Sequence, residues 1–84
     1  ETTEKKIALE IAMTPDHEKV NIEKDLNAGC NYVFIGCKDK EVLEAVKNLV
    51  ESFDVITRAK VHVCPVQKVV DEIEQFVQTS EKNE

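Results

Sequence analysis

The sequence predicts a small α/β domain of order βαβαβα, three-layer in type, built on a mostly parallel three-stranded sheet. Three observations lead there. Bulky apolar residues alternate with small ones over Ile7–Met13, a short continuous apolar run occupies Tyr32–Ile35, and apolar stripes at helical spacing follow each of them. Strands that alternate with helices through short connections give parallel pairing with right-handed crossovers.

Taken in order, Ile7, Leu9, Ile11 and Met13 form one face of a first strand, and Ala8, Glu10 and Ala12 form the other. Thr14-Pro15 stops the run, the hydroxyl suited to cap a helix and the proline to its first turn. A helix over about residues 16 to 28 follows, with Ile22 and Leu26 on its apolar stripe and Gly29 as a left-handed C-cap. Tyr32-Val33-Phe34-Ile35 reads as a strand covered on both faces and ended by Gly36. Asp39 is placed to cap a second helix, whose stripe is Val42, Leu43, Val46, Leu49, Val50 and Phe53. A third strand is expected from Ala59, Val61 and Val63 alternating with Lys60 and His62. A third helix from Val66 to about Val77 then leads into a polar, frayed tail over residues 79 to 84.

The chain of 84 residues holds one core and no second domain, with ordered structure expected over about 6 to 78. Its opening Glu1-Thr2-Thr3-Glu4, without methionine, suggests a piece excised from a longer polypeptide. A net charge of -6 disfavours direct binding to nucleic-acid backbones, which requires clustered cations. Arg58, Lys60 and His62 are the nearest approach to such a cluster, and their alternation reads as a solvated strand face. No apolar run suits a membrane span, and three cysteines without CxxC spacing suit free thiols in a cytoplasmic, reducing setting.

In open parallel sheets, chemistry gathers beyond the carboxyl ends of the strands. Here those loops hold Thr14-Pro15-Asp16-His17, Gly36-Cys37-Lys38-Asp39-Lys40 and Cys64-Pro65. Glu10 is the oddity, a carboxylate in mid-strand between two alanines. It reads either as a catalytic metal ligand or as a charge on an open strand face paired with Lys24 or Lys60. In the first case Asp16 completes a Mg²⁺ or Mn²⁺ shell and Lys24 or Lys38 assists, as phosphodiester hydrolysis requires. Cys37, ahead of a helix, is a candidate reactive thiol for a carrier or redox role, because a helix N-terminus lowers a thiol pKa.

The stretch Ile7-Ala8-Leu9-Glu10-Ile11-Ala12, with Asn21-Ile22-Glu23-Lys24-Asp25-Leu26-Asn27-Ala28-Gly29-Cys30 and Tyr32-Val33-Phe34-Ile35-Gly36-Cys37, resembles the second half of a restriction-endonuclease-like domain of the PD-(D/E)xK superfamily, as found beside ATPases of mobile elements. The likeness spans residues 6 to 37. It implies that Glu10 matches the acidic metal ligand, that the lysine position falls on Ala12, and that the preceding aspartate belongs to an upstream strand. It therefore implies either a degenerate member or the carboxyl-terminal piece of one. The function expected is a non-catalytic interaction or regulatory module of a larger DNA-processing or ATPase-associated protein, its partner another protein or the rest of its own chain. A homodimer through a sheet edge is an alternative arrangement. The alternative functions are a metal-dependent phosphodiesterase using Glu10 and a thiol domain using Cys37.

Overall fold

The computed structural model describes residues 6–82, and an all-parallel sheet of order β1-β2-β3 organises it. β1 spans Ile7–Ala12, β2 Tyr32–Cys37 and β3 Val61–Pro65. β1 pairs with β2 from Ile7 opposite Tyr32 to Ala12 opposite Cys37, and β2 pairs with β3 from Val33 opposite Val61 to Cys37 opposite Pro65. The expected α/β class and parallel three-stranded sheet are thus present. Because each crossover advances one strand in the same direction, right-handed connections put α1 (Glu18–Asn27) and α2 (Lys40–Glu51) on the same side of the sheet.

On that side Val33, Ile35 and Cys37 of β2 meet Ile22 of α1 and Val42, Val46 and Val50 of α2. Each fully buried valine or isoleucine contributes roughly 1.5–3 kcal/mol of transfer free energy, so this layer dominates the fold's stability. The chain leaves α2 through the one-turn α3 (Val55–Arg58), enters β3, and turns through a 3₁₀ segment (Val66–Lys68) into α4 (Val69–Lys82). α4 covers the opposite side, where Phe34, Cys64 and Val69 are buried with Ile73 and Phe76 packed against them.

Asp39 caps α2 as expected, its carboxylate accepting a hydrogen bond from the Val42 amide at 2.9 Å. Gly29 follows α1 with φ +99°, the left-handed conformation that favours glycine.

Elsewhere the sequence reading is corrected. α1 starts at Glu18 rather than in the Thr14-Pro15 turn, and no side chain caps it. Gly36 lies inside β2 instead of ending it, because the 3₁₀ segment and α4 press onto it. A Cβ there would stand 3.1 Å from both Val66 Cα and Val69 Cγ1. Arg58 and Lys60 are not strand residues, and His62 is half-buried against α4 rather than solvated. The expected tail at Thr79 is helical to Lys82, while residues 1 to 5, 83 and 84 lie outside the described residues.

Candidate functional site

The two edges of the sheet are finished differently. The apolar side chains of β3 are covered, Val61 by the α2 layer and Cys64 by α4. Among the described residues β1 and β3 each pair with β2 alone, so both leave a backbone edge unpaired, and the difference lies in the side chains of β1. The backbone direction of β1 follows from two contacts: the Asn31 amide donates to the Lys6 carbonyl at 2.8 Å, and the Lys38 amide donates to the Ala12 carbonyl at 3.0 Å. Even-numbered residues therefore turn their backbone groups toward β2, and alternation turns those of Ile7, Leu9 and Ile11 outward.

The faces of this edge differ in chemistry. On the α4 side, Leu9 is 48% exposed, Ile11 47% and Met13, just beyond the strand, 59%. Glu72, Gln75 and Thr79 of α4 line a hollow with Phe34 and His62, which sets that flank of the helix over β3. By helical geometry Val70 and Val77 lie on the other flank, toward β1, and both are exposed. Among the described residues exposed apolar side chains thus run from the strand onto the helix.

On the α1 side stand three acids. Glu10 points there from mid-strand, between Ala8 and Ala12, whose small side chains let the helix approach. Glu18 and Asp25 lie two turns apart on one stripe of α1. Glu23, Leu26 and Asn27 line a hollow with Phe53 and Lys60, so that flank of α1 faces α2 and α3. The stripe of Glu18 and Asp25 is on the opposite flank, toward the free edge.

A hydrogen bond with Asp25 pushes the Glu10 carboxyl up to about 7, helped by burial and by the negative charges of Asp25 and Glu18, while Lys24 opposes the rise. Glu18 is only 4% exposed, and burial raises its pKa, with the charge of Asp25 adding and a hydrogen bond from Asn21 opposing. Oε1 of Glu18 and Oδ2 of Asp25 are buried without a hydrogen-bond partner. Such atoms lose water without replacing it.

Among the described residues Glu10 and Asp16 are not brought together. Asp16 is exposed in the turn after β1 and is not among the charges acting on Glu10. Lys24 is the lysine that does act there, and Lys38 lies at the far end of β2 in an exposed loop. No group of three or more His, Cys, Asp or Glu among the described residues is arranged to hold an ion, so Glu10, Glu18 and Asp25 act on one another without converging as ligands. Sequence reasoning missed Glu18 and Asp25. The available signal was their spacing on α1 opposite a mid-strand acid.

Cys37 is fully buried, and desolvation, reinforced by the neighbouring Cys64, Glu18 and Asp39, pushes its thiol up to about 11. It is therefore protonated at neutral pH, which runs against the reactive-thiol expectation. The strand ends offer two open hollows on either side of Asp39. One, of about 420 Å³, lies between Met13–Pro15 and α2, and the other, of about 500 Å³, adjoins Cys37 and Pro65. On the other side of the sheet His62 stacks on Phe34, their ring centroids 4.5 Å apart, and meets Phe76 at 5.4 Å. Burial lowers the His62 pKa, Glu72 opposes, and Nε2 has no partner.

No helix among the described residues is long and apolar enough to cross a membrane. Comparison with protein-family models, with curated proteins and with solved structures finds no match to this chain.

Proposed function

We propose that the domain is a non-catalytic interaction or regulatory module, docking through the free edge of β1, within a larger DNA-processing or ATPase-associated protein. One observation carries the docking reading: β1 points the backbone groups of Ile7, Leu9 and Ile11 away from the sheet beside half-exposed Leu9 and Ile11. An edge of this kind is a template for strand addition; β1 carries no proline and a single charge, Glu10, which turns to the α1 side and leaves Leu9 and Ile11 open on the other. The setting within a larger protein is supported by the resemblance of residues 6 to 37, in which the lysine position is Ala12.

The metal-dependent phosphodiesterase and the thiol carrier have less support. Glu10 is tied to Asp25 rather than to Asp16, and Cys37 is a buried, protonated thiol. A photo-crosslinking residue at position 9, compared with one at exposed Lys47 on α2, tests the docking reading in the protein expressed in its natural full-length form. Crosslinks to polypeptide from position 9 and not from position 47 support it. Equal or absent crosslinking from position 9 overturns it.

A further inference from the structure

The acids beside the β1 edge call for donors that the described residues do not supply. Glu10, Glu18 and Asp25 act on one another, and two of their buried oxygens, Glu18 Oε1 and Asp25 Oδ2, accept no hydrogen bond. Among the described residues Lys24 acts on Glu10 and His17 on Glu18. A strand added to β1 continues the pleat, so its side chains alternate between the Leu9–Ile11 face and the Glu10 face.

Resting on the docking reading above, we infer that the partner of β1 is an extended segment of another polypeptide in which apolar residues alternate with lysine or arginine. The apolar positions cover Leu9 and Ile11 and reach toward Val70 and Val77. The basic positions enter the α1 side of the edge beside Glu10 and Asp25, where their charge offsets that of the three acids.

A second copy of this chain is a poorer occupant. An antiparallel β1 brings Ala8, Glu10 and Ala12 to the acidic face, adding a fourth carboxylate there, with Lys6 the cation it contributes from its described strand end.

The test uses the isotope-labelled protein and two short peptides, acetyl-Thr-Lys-Val-Lys-Val-Lys-Thr-amide and its counterpart with glutamate in place of lysine. Amide shifts at Ile7, Leu9 and Ile11 with the lysine peptide, binding about tenfold tighter than the glutamate peptide and weakening with salt, are expected. Glu10→Gln should reduce that preference while leaving the fold intact, since glutamine keeps a donor for Asp25. Equal binding of both peptides at β1 overturns the basic partner and leaves the docking reading standing. Failure of both peptides to perturb β1 overturns the inference; if position 9 also fails to crosslink, the docking reading falls as well. Concentration-dependent self-association through β1, blocked by Leu9→Lys, makes the occupant a second copy and overturns the inference too.

Discussion

Glu10, at the middle of the edge strand, shares a hydrogen bond with Asp25 of the helix above it, and this pairing is the main reason its carboxyl is pushed up to about 7. The bond requires a proton on one of the two acids. Raising the pH removes that proton and leaves two like charges beside a third, Glu18.

Stability should therefore depend on pH in a definite direction. A carboxyl with a raised folded pKa contributes fully below its unfolded value of 4.5 and loses its contribution as pH rises through about 7. Discounting for solvent screening at this half-buried position, the loss is on the order of 1 kcal/mol. Urea unfolding at pH 5 and pH 8 should show Glu10→Gln gaining about that amount relative to the parent at pH 8 and almost nothing at pH 5. A uniform effect at both pH values would mean that the proton is not shared as described.

His62 acts in the opposite sense. Its folded pKa lies below the usual 6.5, so its contribution is present above that value and fades as pH falls below it. Glu72 faces it across the α4 packing, and Phe34 and Phe76 flank its ring. His62→Phe should resist acid better than the parent between pH 6.5 and pH 5, measured in a Glu10→Gln background that removes the competing slope. Unchanged acid sensitivity would show that the ring is not desolvated in solution.

Gly36 should not tolerate a side chain. An added methyl would stand 3.1 Å from both the backbone of Val66 and the branched side chain of Val69, so Gly36→Ala must shift the 3₁₀ segment and α4 outward. A cost of about 1–3 kcal/mol is expected, as for other overpacked cores. A chemical-denaturation midpoint equal to the parent's would rule out so close an approach.

The thiols should separate by accessibility. Cys30 is partly exposed, whereas Cys37 and Cys64 are buried. Iodoacetamide at pH 7.5 is expected to label Cys30 first and Cys37 only at the rate of local opening. Rapid labelling of Cys37, followed by mass spectrometry, would restore the thiol-based reading.

What could be read from the sequence was local. The alternation of Ile7, Leu9 and Ile11, the stripe of α2, the Asp39 cap and the left-handed Gly29 all follow from the neighbouring few residues, and all are present. The failures are of another kind. Gly36 continues its strand because residues far along the chain pack on it, and the Val55–Arg58 turn is too short to show a helical period. Glu10 could be recognised as unusual, but its partner depended on how α1 rotates over the sheet. That rotation brings in Asp25 and Glu18 and leaves Asp16 outside.

The edge of β1 that the described residues leave unpaired can be probed directly by amide hydrogen exchange in dilute protein. Amides of Ala8 and Glu10, directed at β2, should be strongly protected, while those of Ile7, Leu9 and Ile11 exchange orders of magnitude faster. Equal protection of both sets would mean that the edge is already covered, and β1 would then be no docking strand.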